Sequence, residues 1–382
     1  MVAKLLLAFL VLPVLCSGQA YTFSTPVNFS SAKKGPYYPS DLIIDSAGNL
    51  YSTSAYGGHY NYGTVFKVTP DGVVHVLHSF AGPPADGSYP YGALTRDKSG
   101  NLYGITYFGG TEIDCNGYAG CGTVFKVTPE GQETVLYNFT DTSDGGLTQG
   151  TLTLDSKGDM YGVAEGDDPG LVFKLTPADV FSTVYDFGQY IGTGATLIMD
   201  KAGNLYGTTY QGGEYATGTV FELTPEGEET TLYTFTGGTD GKYPNSKLTQ
   251  DAAGNLYGSA LGGGTADGGV VFKISSTRVY SVLYSFCQLP NCADGQLPNG
   301  WLTLDSAGNL YGITENSGPY VGVVFKVTPS GVESVLYVGT YTFGQASDQG
   351  TALVMDKSGN LYGSYFAGGT SNQGMIFKLT KN

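Results

Sequence analysis

Acidic residues in loop segments carry the first candidate chemistry in this 382-residue sequence. Glu165, Asp167 and Asp168 lie close together, and Glu315 occupies the corresponding place in a later copy of an internal repeat. Facing carboxylates can act as general acid and base or share a metal ion. These four residues are therefore the candidate catalytic residues, although most exposed loop carboxylates only interact with water.

A second set of acids recurs at one place in the repeats. If the repeats close into a ring, these acids would surround the mouth of its central channel and could coordinate Ca²⁺. Asp-Gly is also ordinary turn chemistry, repeated because the structure repeats, and we favour that interpretation. No cofactor is predicted, and Ca²⁺ is the one option kept open. The candidate metal ligands are Asp86, Asp144, Asp240, Asp294 and Asp348.

Aromatic residues supply the candidate binding surface. Most of the 30 tyrosines recur at fixed repeat positions and are expected to pack in the interior. Others are irregular and fall in long, variable loops, the expected place for binding on a rigid scaffold. Rings beside carboxylates suit glycans and suit protein partners equally well. The candidate ligand-binding residues are Tyr56, Tyr107, Tyr210, Tyr215, Trp301 and Tyr320.

The cysteines form two local pairs, Cys115 with Cys121 and Cys287 with Cys292. A secreted protein favours disulfide bonds at such pairs. A multi-histidine zinc site is excluded, because only His59 of the three histidines falls in a variable loop. His75 and His78 fall on a predicted outer strand. P-loop, EF-hand, Gly-x-Ser-x-Gly and His-Glu-x-x-His patterns are absent.

The elements that position these residues come from a seven-fold repeat. The phrase Gly-Asn-Leu-Tyr, or a close variant, recurs at intervals of 45 to 58 residues. A period of about 50 residues with strand-like content is typical of a β-propeller. The seven copies begin at Gly48, Gly100, Gly158, Gly203, Gly254, Gly308 and Gly359.

Each repeat contains four strand-like pieces rich in β-branched and aromatic residues, separated by Asp-x-x-Gly-Asn and Thr-Pro-x-Gly turns. The Asp of the first turn occurs in all seven copies and is interpreted as structural. The fourth piece occurs only six times, whereas an unassigned strand-like segment remains at residues 21–29. We therefore predict an all-β, seven-bladed propeller of four-stranded antiparallel blades, closed by an N-terminal strand that completes the last blade.

The order Pro-x-x-x-Leu-x-x-Asp-x-x-Gly-Asn-Leu-Tyr, followed by Gly-Thr-Val-Phe, resembles NHL-type propeller repeats. It resembles more closely the GloVer tandem repeat of secreted bacterial "choice-of-anchor" proteins. The segment from Asn204 to Gly213, followed by Gly218 to Phe221, carries this resemblance best. The resemblance covers essentially the whole of residues 21–382 and implies no defined activity.

The N-terminal residues 1–20 read as a signal peptide. Lys4 precedes an apolar stretch, and small residues permit cleavage after Ala20. The remainder is expected to form one propeller domain, and the final residues, Leu379 to Asn382, lack an anchoring pattern. A formal charge of −15 excludes nucleic acid as a partner and disfavours anionic membranes.

The sequence thus predicts a secreted, monomeric propeller that binds an extracellular glycan or protein through its variable loops. An alternative is an enzyme of the propeller lyase, lactonase or glycosidase kind that uses the loop carboxylates, with or without Ca²⁺. A third reading is a structural surface or matrix protein. A continuous aromatic patch without converged acids would favour the binding function.

Overall fold

The computed structural model describes residues 21–382, except 31–34, 113–114, 116, 118, 141–143, 148–149, 165–169, 189–195, 317–321 and 340–351. The predicted signal peptide lies outside the described residues. Seven antiparallel sheets follow one another along the chain as the seven blades. The single helix in the described part of the chain is a 3₁₀ turn, Pro290–Cys292, and no described helix could cross a membrane.

The first three blades contain 15 of the strands. Blade 1 contains β2 (Pro36–Pro39), β3 (Ile43–Ile44), β4 (Leu50–Gly57), β5 (Thr64–Val68) and β6 (Val74–Ser79). Blade 2 contains β7 (Gly87–Ser88), β8 (Thr95–Arg96), β9 (Leu102–Thr106), β10 (Phe108–Gly109), β11 (Thr123–Val127) and β12 (Glu133–Asn138). Blade 3 contains β13 (Thr153–Leu154), β14 (Met160–Ala164), β15 (Leu171–Leu175) and β16 (Phe181–Asp186).

The remaining blades follow the same plan. Blade 4 contains β17 (Ile198–Met199), β18 (Leu205–Thr209), β19 (Thr219–Leu223) and β20 (Glu229–Thr234). Blade 5 contains β21 (Lys242–Pro244), β22 (Thr249–Gln250), β23 (Leu256–Gly262), β24 (Val270–Ile274) and β25 (Tyr280–Ser285). Blade 6 contains β26 (Gln296–Pro298), β27 (Thr303–Leu304), β28 (Leu310–Asn316), β29 (Val323–Val327) and β30 (Glu333–Val338). Blade 7 contains β31 (Val354–Met355), β32 (Leu361–Tyr365), β33 (Met375–Lys381) and β1 (Tyr21–Asn28).

The N-terminal strand closes the ring, as predicted. Strand β1 pairs antiparallel with β33, with Tyr21 opposite Lys381 and Asn28 opposite Met375. The ring of Phe23 on β1 also stacks on Tyr337 of blade 6 at 4.2 Å. The two ends of the chain therefore share one blade, which leaves no unpaired edge at the closure.

The short first strand of each blade lies nearest the ring axis. Thr95 on β8 donates its hydroxyl hydrogen bond to the carbonyl of Leu152, which precedes β13 in the next blade. The same contact recurs at blades 3, 5 and 6, so neighbouring first strands touch directly. The fourth strands, by contrast, lie on the outside of the ring and contain only half-buried and exposed residues, as in β12 and β20.

Phenylalanine pairs hold neighbouring blades together. The third strand of each blade contributes a fully buried phenylalanine. At six of the seven junctions this ring meets, edge to face, the phenylalanine that follows the fourth strand of the preceding blade, with centroids 4.9–5.6 Å apart. The pairs are Phe29–Phe66, Phe80–Phe125, Phe139–Phe173, Phe187–Phe221, Phe235–Phe272 and Phe286–Phe325.

The repeated glycine before the third strand is required by the proline of the next blade. A Cβ atom on Gly269 would lie 2.4 Å from Cδ of Pro298, and the backbone of Gly269 has a φ of +92°. Both conditions exclude larger residues. Gly218 with Pro244, and Gly374 with Pro39, show the same contact across two other junctions.

The aspartate of the Asp-x-x-Gly-Asn turn is structural, as predicted. Asp45 accepts hydrogen bonds from the backbone of Ala47 and Asn49, from the Asn49 amide and from the Tyr51 hydroxyl. Burial acts to raise the pKa of Asp45, but these donors outweigh it and hold the pKa below its usual range. The equivalent aspartates of blades 2, 4, 5, 6 and 7 behave alike.

Replacing the closing phenylalanine will test the ring closure. Phe29→Ala removes a buried ring that packs on Phe66, so it should lower the free energy of unfolding by about 3–5 kcal/mol. Val279→Ala is the control, because Val279 is 62% exposed and its loss should cost no more than about 0.5 kcal/mol. Urea unfolding followed by fluorescence measures both, and equal effects would contradict the closing role of Phe29.

Candidate functional site

The variable loops share one face of the ring, as predicted. The connection from blade 1 to blade 2 forms β7, which pairs with β10 in the loop between the second and third strands of blade 2. The connections into blades 1, 5 and 6 pair in the same way with the C-terminal ends of β4, β23 and β28. We call this surface the loop face.

A continuous row of aromatic rings crosses the loop face over blades 7, 1 and 2. Successive ring centroids are 4.5–5.9 Å apart, the spacing of rings in direct contact. Because the first ring lies some 300 residues from the second in the sequence, the row exists only in the closed ring. The members of this aromatic belt are, in order, Phe366, Tyr38, Tyr56, Tyr89, Phe108 and Tyr107.

A cavity of about 360 Å³ opens beside the belt. Its volume lies within the range of small-molecule sites, which begins at roughly 300 Å³. Burial, together with the neighbouring Tyr56 hydroxyl, raises the pKa of Tyr91 well above its usual range, so this hydroxyl stays neutral. The lining residues are Tyr56, Tyr62, Pro83, Ser88, Tyr89, Tyr91, Phe108 and Ala119.

The central channel contains two opposite charges and the only tryptophan. Lys247 of blade 5 places its Nζ atom 4.5 Å from the ring centroid of Trp301 of blade 6, a cation–π contact. Asp41 of blade 1 accepts a 2.7 Å hydrogen bond from the backbone of Ala352. Asp41 and Lys247 interact electrostatically although they come from distant blades, because both precede first strands and lie near the axis.

Burial dominates the titration of these two side chains. They keep some accessible surface along the channel, but protein surrounds them on nearly every side. Burial raises the pKa of Asp41 to about 7, against the opposing effects of the Ala352 hydrogen bond and the Lys247 charge. Burial lowers the pKa of Lys247 to about 8, and Asp41 offsets this only in part. The ion pairs found among the described residues do not include these two, so they attract each other without direct contact.

Polar side chains line the channel entrance on the side of blades 5 and 6. The Asn245 amide donates to Asn299 at 3.4 Å, and the Asn299 amide donates to Oε1 of Glu315 at 2.5 Å. Asn245, Asn299 and Tyr91 occupy the same repeat position, directly after the proline that precedes the first strand. Amide and carboxylate groups therefore lie across the loop face from the aromatic belt.

The predicted binding aromatics divide between three places. Tyr56 and Tyr107 belong to the belt. Tyr210 stacks on Tyr243 at 5.0 Å, in the sector of blades 4 and 5, and Tyr215 is 51% exposed. Trp301 lies in the channel under Lys247. Tyr320 falls outside the described residues.

Of the four candidate catalytic acids, one lies within the residues that the structure describes. Glu315 is half-buried and holds Asn299, as described above. Glu165, Asp167 and Asp168 lie outside the part of the chain that the structure describes, as does the candidate metal ligand Asp348.

Of the candidate metal ligands, Asp144, Asp240 and Asp294 hold the connecting loops at their own blade junctions by hydrogen bonds. Asp144 accepts from the Tyr137 hydroxyl at 2.7 Å and from the backbone of Thr140. Asp240 and Asp294 repeat this arrangement with Tyr233 and Tyr284. These bonds attach each connecting loop to the outer strand. Within the described residues, only Asp86 of this set belongs to a group of side chains able to share a metal ion.

Both predicted disulfides are present, Cys115–Cys121 and Cys287–Cys292. Each closes a short loop on the loop face. Backbone amides within the second loop bind Asp294, from Gln288 at 2.9 Å and from Leu289 at 3.1 Å. The disulfide and the junction aspartate therefore constrain the same connection.

Sequence reasoning missed the channel charges and four of the six belt residues. A comparison of the residue before the leucine that immediately precedes each first strand would have found the channel, because that position holds Asp41, Lys247 and Trp301 in three blades and small residues in the others. Phe366, Tyr38 and Tyr89 carry no such signal, since each contacts a ring of a neighbouring blade.

Comparison with known proteins identifies the repeat. The sequence matches the Gloeobacter/Verrucomicrobia repeat over residues 15–167, 113–320 and 193–382. No match was found among curated protein sequences.

Several solved structures share the fold. The extracellular domain of a B. thetaiotaomicron protein, described both as a one component and as a hybrid two component system, matches with TM-scores of 0.58 and 0.59 at 12% and 11% identity. These matches cover 93% and 94% of this chain but only 39% and 40% of those chains. A gluconolactonase from Xanthomonas campestris matches at 12% identity over 95% of this chain and 90% of its own, with a TM-score of 0.46. These likenesses concern the fold alone.

The stability of the ring should fall as pH rises from about 4 to 7. Asp41 has a pKa of about 7 in the folded protein, above its ordinary value of 3.8. Between these two pH values the folded state binds more protons than the unfolded state, so raising the pH favours unfolding. Asp41→Asn should reduce the slope of unfolding free energy against pH by up to about 1.4 kcal/mol per pH unit. Urea unfolding at pH 4.5–7.5 measures the slope.

Asp71→Asn is the matched control for this prediction. Asp71 lies on the surface, and its hydrogen bond from Thr69 lowers its pKa, so it should not contribute a slope of this sign in the window. An unchanged slope in Asp41→Asn, or an equal change in both variants, would contradict the assignment to Asp41.

Proposed function

We propose that this chain, which belongs to the Gloeobacter/Verrucomicrobia repeat family, is an extracellular module that binds glycans at the aromatic belt. The observation that carries the proposal is the continuous row of rings beside a cavity of about 360 Å³. Tyrosine rings offer flat apolar faces for the C–H faces of a sugar and hydroxyls for its polar edge.

The shape of the site favours glycans over a protein partner. A concave cavity of this volume fits one or two sugar rings, whereas specific protein interfaces bury about 800 Å² per partner over a wide surface. The polar groups that orient a ligand are also available. Ser88, Tyr62 and Tyr91, which carry hydroxyl groups, lie in the cavity lining.

An extracellular site of action is supported by the two disulfides. Such bonds persist in oxidising compartments and are rare in the cytosol. The strongly negative charge, −15, fits neutral glycans better than acidic ones, because a carboxylated or sulfated sugar would meet repulsion over most of the surface.

Glycan-array screening followed by calorimetry tests the proposal. Tyr56→Ala removes the ring at the centre of the belt, so it should weaken binding of a neutral oligosaccharide at least about tenfold, equivalent to ~1.4 kcal/mol. Tyr215→Ala is the matched control, an exposed loop tyrosine in the sector of blade 4, and it should leave the Kd unchanged. Thermal melts establish that both variants fold.

Three outcomes contradict the proposal. Binding that depends on Tyr215 and not on Tyr56 would move the site away from the belt. The absence of any glycan ligand would favour a protein partner or a structural role. Conversion of the oligosaccharide to products, detected by mass spectrometry, would favour the enzyme alternative that the loop carboxylates raise.

A further inference from the structure

Three side chains able to bind a metal ion meet at the outer junction of blades 1 and 2. His78 lies on β6 of blade 1, Asp86 in the connecting loop and Glu133 at the start of β12 of blade 2. Their ligand atoms all lie within 4.8 Å of one another. Nε2 of His78 is 3.2 Å from Oδ2 of Asp86.

Glu133 lacks a partner for one of its oxygens. Its Oε1 atom is buried and accepts no hydrogen bond. Burial raises the pKa of Glu133 to about 7, the nearby charge of Asp86 adds to this, and His78 acts in the opposite direction. A buried carboxylate oxygen without a partner is costly, and a cation between the two acids would remove both the repulsion and the unmet bond.

The other junctions show what is particular to this one. The position of His78, opposite the valine that is the second residue of the third strand, holds tyrosine in blades 2 to 6. At two other junctions the position of Glu133 holds an aromatic residue, Phe181 or Tyr280. That ring stacks on the tyrosine of the preceding blade, in the pairs Tyr137–Phe181 and Tyr233–Tyr280. Glu333 faces Tyr284 and Asp294 at the junction of blades 5 and 6, without a histidine. Among the described residues, histidine and two acids converge only at the first junction.

We propose that His78, Asp86 and Glu133 form a zinc site that joins blades 1 and 2. Two ligands about 2.0–2.1 Å from a tetrahedral zinc ion lie roughly 3.3 Å apart, close to the observed 3.2 Å between His78 and Asp86. The imidazole favours Zn²⁺ over Ca²⁺, which prefers oxygen ligands alone. Water completes the fourth position.

The backbone already orients the Asp86 carboxylate for this role. Ala81 donates to Oδ2 at 2.7 Å and Gly87 donates to Oδ1 at 2.6 Å. Such outer hydrogen bonds hold a ligating carboxylate in place. The same loop contributes Pro83, Ser88 and Tyr89 to the cavity, so zinc would also fix one wall of the candidate glycan site.

Calorimetric titration of EDTA-treated, desalted full-length protein with ZnCl₂ tests the site. We expect one equivalent of Zn²⁺ to bind and to raise the Tm by several degrees, because zinc ligands converge only in the folded state. His78→Tyr restores the residue found in blades 2 to 6 and should weaken zinc binding at least about 100-fold while the protein stays folded. Glu133→Gln should weaken it similarly.

Two control variants separate this site from adventitious binding. His75→Gln changes an exposed histidine on the same strand, and Glu333→Gln changes the equivalent acid at the junction of blades 5 and 6. Both should retain the zinc affinity of the unaltered protein. Zinc binding that survives His78→Tyr, or that is lost in His75→Gln, would overturn the proposal, as would a Ca²⁺-induced rise in Tm that does not require His78.

Discussion

The edge-to-face contact between phenylalanines of neighbouring blades is the interaction on which the rest of the structure depends. Each blade buries one phenylalanine on its third strand, and every blade except blade 6 offers a second one after its fourth strand to the next blade. A blade cannot bury these rings alone, so the repeats are stable only as a ring. At the junction of blades 6 and 7, Gly339 occupies the position of the fourth-strand phenylalanine, and Phe23 of the N-terminal strand stacks on Tyr337 of blade 6, as Phe181 stacks on Tyr137. The closing strand thus supplies an aromatic contact across the junction that lacks the phenylalanine pair.

Because the junctions are held below the loop face, the loops above them are free to vary. The connections into blades 5 and 6 are both attached by an aspartate bound to an outer-strand tyrosine and by a proline packed on the glycine of the preceding blade. Between these points the sequence can change without cost to the core. The aromatic belt lies in these loops and connections, which supports the proposal that it binds a ligand.

The fold could be predicted from the sequence because its causes are local and repeated. Turn residues and β-branched strands are visible within a single repeat, and a count over the seven copies shows that one fourth strand is missing, which predicts closure by residues 21–29. The site could be predicted only in part. Tyr56 and Tyr107 were recognisable as irregular loop aromatics, but the contact of Phe366 with Tyr38 and the approach of Asp41 to Lys247 depend on the angle between blades. No local pattern encodes that angle.

Blade 1 departs from the repeat at three places, and this bears on function. Blade 1 has Ser52 where blades 2 to 7 have glycine, His78 where blades 2 to 6 have tyrosine, and one residue fewer between Pro39 and Leu42 than blades 2, 5 and 6 have at that place. A repeat under structural constraint alone would keep these positions alike, since the same contacts must form at every junction. The connection from blade 1 to blade 2 carries both Asp86 and the tyrosines of the cavity. A cation at the outer end of this connection would reduce the motion of its inner end, and a preorganised wall lowers the entropic cost of binding a ligand.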